Sequence, residues 1–529
     1  MQWLGRNTMI GVLLVGALLC AAMDAQGPAG QTIAIDANAP TTPFPHFWEQ
    51  MFGSGRAILS LRESYRDDLR AVHAITDFRY VRFHAILHDD VGVYNEDEHG
   101  NPVYNFAYVD QIYDGLLRNG VRPVVEISFM PKKLAFNPDA LHPFWYKQNV
   151  SPPKSLARWD ALMTAFAQHL VARYGIEEVS QWYFEMWNEP NIDFWNGIPR
   201  QESYFELYAH TARALKAVSS RLRIGGPATA AAQWVPEFLA YAAKEHLPVD
   251  FVSSHAYADD TVENLFHTNE AIPMDDRVCR AIRAVRSQID RSAMPKTPLF
   301  WTEWNVQGEN QSRDTPFVGP ALANTIRACD GAVEMMAFWT FSDVFEEGGP
   351  IAHPFEGNFG LRAEGGINKP SFYDFALLHQ LGQQRLANSA ENVLVTRRGD
   401  GALAIVVWNL VDPAVPEGDS KRVARHVILQ FSGVPSDANV TISRVDEAHG
   451  NALPLYRKMG SPQYPTPAQA EQLNRFSALP APGPERLRNE NLSFDLPVNA
   501  LMLVTVEGEK SLGHFFRCCA PPRIGHAAF

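Results

Sequence analysis

Cysteine is scarce in this chain, 5 among 529 residues. Cys20 lies in an N-terminal apolar run, and the other four are too few to hold a domain of this size together as a disulfide scaffold. Cys518 and Cys519 are adjacent in a Pro-rich tail, and no cysteine has partners at zinc-ligand spacing. Cys279 and Cys329 read as core thiols, with pairing between neighbouring helices as the alternative. Basic residues are also short: 46 Lys and Arg face 59 Asp and Glu, a formal net charge of −13. That balance, without a basic stripe, argues against nucleic acid or another polyanion and makes an uncharged partner the default. No glycine-rich phosphate loop follows the first strand-like segment, which argues against a dinucleotide-binding sheet. Long apolar runs are missing too, apart from Met9–Ala22, which falls short of the roughly 20 residues of a membrane span. Preceded by Arg6 and followed by small and polar residues, that run reads as a secretory signal peptide over 1–25. Leu19 is bulky for a lipidation site at Cys20. A secreted or periplasmic protein is expected, with no membrane association after cleavage.

Aromatic residues, by contrast, are plentiful: 12 Trp and 31 Phe exceed what packing requires, and aromatic faces suit the apolar faces of sugar rings. Eight strand-like segments alternate with amphipathic stretches: Phe47–Phe52, Phe78–Ala85, Arg122–Met130, Trp182–Asn188, Arg223–Pro227, Asp250–Tyr257, Pro298–Trp304 and Glu334–Phe341. Between the third and fourth, Ser155–Tyr174 repeats apolar residues at helical spacing. Eight such alternations imply a closed parallel sheet, so the fold class is α/β, a (β/α)8 TIM barrel over 47–385. After a helix at Ser371–Leu381 the pattern changes to short alternating runs, Asn392–Thr396, Leu403–Asn409, His426–Phe431, Val440–Val445 and Ala500–Val506. These make an accessory all-β sandwich over 386–509, with a tight turn at Gly399–Gly401. The segment 32–46 is expected to add an N-terminal strand to it. Pro462–Pro484 reads as an irregular loop and 510–529 as a flexible tail.

Two motifs place a Glu where an aromatic strand stops: Trp182-Tyr-Phe-Glu-Met-Trp-Asn-Glu-Pro190 and Pro298-Leu-Phe-Trp-Thr-Glu-Trp-Asn305. Strand ends of a β/α barrel open into one shared cleft, so Glu189 and Glu303 would face each other there. Two such carboxyls can divide glycoside hydrolysis between them. One stays protonated to serve the leaving oxygen, and the other stays ionised to attack the sugar carbon. Solvated strand-end charges are the alternative.

The runs Glu185-Met-Trp-Asn-Glu-Pro-Asn191, Phe300-Trp-Thr-Glu-Trp-Asn305 and Phe338-Trp-Thr-Phe-Ser-Asp-Val-Phe-Glu-Glu347, then Phe355–Leu361 and Lys369-Pro-Ser-Phe-Tyr373, resemble glycoside hydrolase family 39. That family holds β-xylosidases and α-L-iduronidases. The resemblance implies a retaining mechanism with Glu189 as acid/base and Glu303 as nucleophile. It implies further that Asn188 bonds the sugar 2-hydroxyl, that His84 contacts the sugar, and that Phe129 walls the site and Trp339 floors it. Tyr257 would donate to the nucleophile, His255 would orient a sugar hydroxyl, and Glu346 and Glu347 would accept from remote hydroxyls. Plainer readings exist for several: a strand-end cap for Asn188, a satisfied polar group for His84, a core ring for Phe129. Neither a metal nor a cofactor is expected, although His88, Asp89 and Asp90 stand together.

The two adjacent acids, Glu346 and Glu347, bear on the substrate. An iduronide carries a carboxylate that they would repel, so the resemblance points to the β-xylosidase branch and to xylo-oligosaccharides or β-xylosides. Other glycosidase specificities, of arabinosides, galactosides, glucosides or iduronides, remain alternatives. So does a secreted protein that binds carbohydrate without cleaving it.

Overall fold

The structure, a computed structural model, describes residues 30–306 and 310–507. The expected signal peptide and tail lie outside the described residues, as do Cys518 and Cys519. Eight parallel strands close into a barrel: β1 (Met51–Arg56), β2 (Tyr80–His84), β3 (Arg122–Ile127), β4 (Tyr183–Met186), β5 (Arg223–Thr229), β6 (Phe251–His255), β7 (Leu299–Trp304) and β8 (Met335–Phe338). A helix follows each, from Glu63–His73 after β1 to Pro370–Leu378 after β8. The predicted first strand, Phe47–Phe52, runs about one turn too early. Phe47 and Trp48 are buried rings packed edge-on below the barrel, and the glycines of Met51-Phe-Gly-Ser-Gly-Arg56 hide the strand from a composition-based reading.

The barrel interior is layered by the two-residue period of its strands. At the N-terminal end Met51, Val124, Phe251, Phe300 and Met335 form an apolar plug with Tyr80 and Tyr183 packed against it. Two residues further along the strands come Arg82, Glu126 and Glu185, all fully buried. Above these the strands end at the cavity described below. The register slips at the upper ends of β1, β5, β6 and β7, so His255 pairs with Glu303 rather than Thr302. Bulges of this kind re-aim side chains at a barrel rim.

Residues beyond the barrel form two sheets. A seven-stranded sheet contains Thr41–Pro43, Gln384–Leu386, Val393–Arg397, Leu403–Trp408, Leu501–Val506, Asn439–Val445 and Pro484–Arg486 in that spatial order. A three-stranded sheet places Gln31–Asp36 parallel to Arg425–Ser432, which pairs in turn with Asn491–Leu496. Ile33, Ile35, Val395, Ile405, Val427, Leu429 and Val504 share the core between them. Two expectations need correction here. Pro462–Pro484 is not wholly irregular: Pro467–Ser477 is a helix, started by Thr466, whose hydroxyl accepts from the Gln469 amide while the Gln469 side chain accepts from the Thr466 amide. Cys279 and Cys329 are not free thiols but a disulfide, with Cα atoms 5.2 Å apart. Their helices, Met274–Asp290 and Val318–Cys329, follow consecutive strands and lie side by side in the outer ring.

Candidate active site

A cavity of about 240 Å³ opens at the C-terminal end of the barrel. Eight of the ten residues singled out from the sequence line it: His84, Asn188, Glu189, His255, Tyr257, Glu303, Trp339 and Glu347. Glu189 follows β4 on a turn in which Trp187 and Glu189 adopt φ of 69° and 43°, and its amide donates to Ala228 O at 2.8 Å. Left-handed backbone at non-glycine residues costs about 1–3 kcal/mol each and persists where the surroundings fix it. Here it turns the carboxyl of Glu189 back over the barrel mouth. Glu303 stands opposite on β7. One oxygen of each carboxyl and one nitrogen of His255 all lie within 4.8 Å of one another.

The two carboxyls have unequal partners. Glu303 Oε2 accepts from Arg82 Nη1 at 2.9 Å and Oε1 from the Tyr257 hydroxyl at 2.5 Å. Among the described residues Glu189 has one hydrogen-bond partner, His255 Nδ1, at 3.0 Å. Burial pushes the Glu189 carboxyl up to about 7, against the pull of Arg82. Burial raises Glu303 as well. A guanidinium in direct contact, however, makes Glu303 the better seat for the negative charge, so a single shared proton sits on Glu189. Tyr257, pushed far up by burial and by Glu303, stays protonated and remains a donor. Burial lowers His255 to about 4, so its ring is neutral and adds no competing charge.

Arg82 organises the floor of the site, and the sequence reading passed over it. Its Nε donates to Glu185 at 2.6 Å, and its Nη2 to Asn188 Oδ1 at 2.9 Å, also lying 2.9 Å from Glu126. A planar fork of five donors fits this arrangement, whereas an ammonium would not. Beside it, although burial opposes its cation, the Glu126 carboxylate 2.7 Å away holds His84 up at about 10. The cationic ring sits between Glu126 and Glu347, the latter at 3.6 Å. A charge in the middle of an apolar strand, as in Tyr80-Val-Arg-Phe-His84, Val125-Glu-Ile127 and Phe184-Glu-Met186, was the available signal. An inward-facing charge there must have a partner, since an isolated buried charge is costly.

Three expected roles do not fit the geometry. Phe129 is buried behind the cavity rather than lining it: it stacks on Phe194 at 5.9 Å and meets Trp187 edge-on, so Phe194 forms the wall that Phe129 supports. Glu346 is also off the lining, its carboxylate held by Arg56 at 2.8 Å and Arg62 at 2.6 Å. His255 has both ring nitrogens engaged, Nδ1 with Glu189 and Nε2 with Thr302 at 3.2 Å, which leaves none for a sugar hydroxyl. Trp339 lines the cavity, its ring so close to β1 that a Cβ at Gly53 would be 2.1 Å from it. Phe144, Ile192, Ala230, Ala231, Asp260 and Phe359 complete the lining and were not foreseen.

Groups able to hold a cation are the Glu189, His255 and Glu303 set and, at the opposite end of the barrel, His46, Glu49 and His379. The acids following His88 diverge: Asp89 accepts from the Lys132 amide and Asp90 pairs with Arg56.

The profile of Glycosyl hydrolases family 39 matches residues 31–489, across both the barrel and the sheets that follow it. The chain belongs to that family. A β-xylosidase of Geobacillus stearothermophilus is 38% identical over 481 residues, covering 88% of this chain and 93% of the relative. A β-xylosidase of Caldicellulosiruptor saccharolyticus is 34% identical over 481 residues, covering 87% and 95%. Among solved structures, a β-xylosidase from Caulobacter crescentus CB15 superposes with a TM-score of 0.79 at 35% identity, covering 90% of this chain and all of that one.

Proposed function

We propose that this protein is an exported, retaining β-xylosidase. Glu303 attacks the anomeric carbon of a β-D-xyloside as the bond to the leaving oxygen breaks, and Glu189 gives that oxygen its proton. Water then enters, Glu189 takes a proton from it, and the resulting attack releases xylose and frees Glu303. The observation that carries this reading is the unequal pair of carboxyls across one cavity: an anion held by Arg82 and Tyr257, and within 4.8 Å an acid whose burial keeps its proton to about pH 7. So close an approach of one oxygen of each supports a direct nucleophile, whose carboxyls stand roughly 5 Å apart, over the water-separated pair of an inverting enzyme at about 6.5–9.5 Å.

Once the nucleophile is esterified its negative charge is gone, so Glu189 no longer faces an anion across the cavity, gives up its proton more readily and can act as a base. Arg82 engages Asn188 Oδ1, and an arginine can only donate, so the group left for the sugar 2-hydroxyl is the amide N–H2. Trp339 offers a face to the ring, and Glu347, backed by the His84 cation, offers an acceptor.

The lining holds no Lys or Arg among the described residues, and its cation, His84, is already paired with Glu126 and Glu347, which supports an uncharged glycone over a uronate. Of the two acids expected to repel such a group, Glu347 alone faces the cavity, since Glu346 is neutralised by two arginines. The curated relatives named as β-xylosidases support xylose as that glycone. Export is supported by the apolar N-terminal run and by the Cys279–Cys329 disulfide, a bond that persists in oxidising compartments. Proton NMR of the first product from an aryl β-xyloside tests the mechanism. β-Xylose is expected; α-xylose as the initial anomer would mean inversion and would end this assignment of roles.

A further inference from the structure

Among the described residues tryptophan is mostly interior: Trp48, Trp159, Trp182, Trp187, Trp195, Trp301, Trp304, Trp339 and Trp408 are almost completely buried and Trp234 is half-buried. Trp145 stands apart at 52% exposed. Its place is the rim of the cavity. Phe144, the residue before it, lines the cavity and packs edge-on against Phe194. Its own amide donates at 2.9 Å to the carbonyl of Glu347, whose side chain also lines the cavity.

The indole is held rather than loose. Gly349 passes beneath it with φ of 105°, where an added Cβ would come within 3.3 Å of the ring. The Arg56 guanidinium lies 5.9 Å from the ring centroid and is itself fixed by Asp90 and Glu346. No aromatic ring of the protein stacks on Trp145 among the described residues. A large apolar face kept in water by a braced loop, beside the mouth of a polar cavity, is a surface for a ligand with an apolar face of its own.

We infer that Trp145 is a binding platform for the sugar unit that follows the cleaved bond, a β-linked xylose ring of the leaving group stacked on the indole. The inference rests on the β-xylosidase reading. A cavity of about 240 Å³ is small beside the roughly 300–1,000 Å³ of common ligand pockets. One glycone therefore fills it, and what is attached to that glycone must emerge over the rim.

The test compares two substrates that share the glycone and differ in what emerges: xylobiose, with a second ring, and methyl β-D-xyloside, without one. The quantity read is the ratio of their kcat/KM values in the wild type and in Trp145→Ala and Trp145→Phe. Trp145→Ala keeps the backbone bond to Glu347 and removes only the indole, and at an exposed site it leaves the fold intact. The xylobiose-to-methyl ratio is expected to fall roughly five- to tenfold in Trp145→Ala, chiefly through KM, and to recover in Trp145→Phe, which restores an aromatic face. An unchanged ratio overturns the platform even if both substrates are turned over more slowly, because the indole would then act by positioning Glu347. A wild type that cleaves neither substrate overturns the β-xylosidase reading itself, and with it this inference.

Discussion

Two buried clusters of charge sit near the upper end of this barrel, and only one of them opens on a cavity. In the first, Lys369 Nζ lies 2.8 Å from Asp314, 2.7 Å from Asp343 and 2.9 Å from the Asn358 carbonyl. The two carboxylates also accept the amides of Gly357 and Gly360, each at 2.6 Å. All three protons of the ammonium are used, and the cluster pins the segment between β8 and the last helix. In the second, Arg82 spends its donors on Glu126, Glu185, Asn188 and Glu303. The network nevertheless gives Glu189 no direct contact with the guanidinium, and among the described residues its hydrogen-bond partner is a neutral histidine. Buried ion pairs as such mark architecture. A carboxyl left under-supplied with donors beside an accessible space is what marks chemistry.

Deleting each carboxyl in turn breaks the comparison most directly. Glu303→Ala removes the group that forms the covalent bond, and activity on every xyloside is expected to drop at least about 10⁴-fold, some 5.5 kcal/mol of barrier. Azide should restore turnover to this variant with an α-configured product, which NMR identifies. Glu189→Ala removes proton donation, normally about 10²–10⁴-fold. The loss should be full for a poor leaving group such as methanol and nearly absent for glycosylation by dinitrophenyl xyloside. With the wild type, kcat/KM should decline as pH rises through about 7, where Glu189 loses its proton. That alkaline limb should vanish when Glu189→Ala is assayed on the activated substrate. If it survives, another group supplies the proton.

Much of this was legible before any coordinates, and unevenly so. The eight strands could be read because each parallel strand is buried on both faces and so carries an unbroken apolar run. The exception, β1, contains Gly53 and Gly55, chosen for closeness to Trp339 and to Leu59 and Phe345 rather than for strand propensity. The sandwich strands Leu403–Trp408 and Leu501–Val506 were equally plain, whereas Asn491–Leu496 and Pro484–Arg486 alternate too weakly or are too short to stand out. The helix at Pro467–Ser477 carried its start signal openly, Thr466 followed by Gln469, and was masked by the proline-rich company around it. At the site, side chains at strand ends were found because position alone exposes them. Arg82 was not, since its function depends on four partners, on three other strands and the loop after β4, and a local pattern does not encode such convergence. The burial of Phe129 and the two arginines on Glu346 were hidden for the same reason.

Breaking the closed cluster should produce the opposite signature from breaking the open one. Lys369→Met leaves Asp314 and Asp343 buried without their cation, a change that typically costs about 3–5 kcal/mol. A lower Tm is expected, with the folded enzyme retaining most of its kcat on an aryl xyloside. Any rise in KM would report the loosening of the loop that carries Glu347 and Phe359. A drop in kcat comparable to that of Glu189→Ala, at unchanged Tm, would mean that the Lys369 cluster belongs to the catalytic machinery after all.

The smallest effect sharpens the contrast by its sign. Burial raises Glu189 from the ordinary 4.5 to about 7, so the folded chain holds this proton more tightly than the unfolded chain does. Its contribution to folding is therefore most favourable below pH 4.5 and is lost as pH rises through about 7, where an anion must be kept in the cavity wall. Glu189→Gln removes the titration while preserving an amide that can still bond His255. The full shift corresponds to roughly 3 kcal/mol, and the 13% exposure of the side chain reduces it towards about 1–2 kcal/mol. Tm of the variant should match the wild type at pH 4.5 and exceed it by about 1–2 °C at pH 8, while activity on unactivated xylosides falls. Equal Tm values at both pH values would show that Glu189 is not held protonated by its surroundings, and the acid of the pair would have to be sought elsewhere. A gain in stability confined to high pH, together with a loss of turnover, is what a functional carboxyl should give.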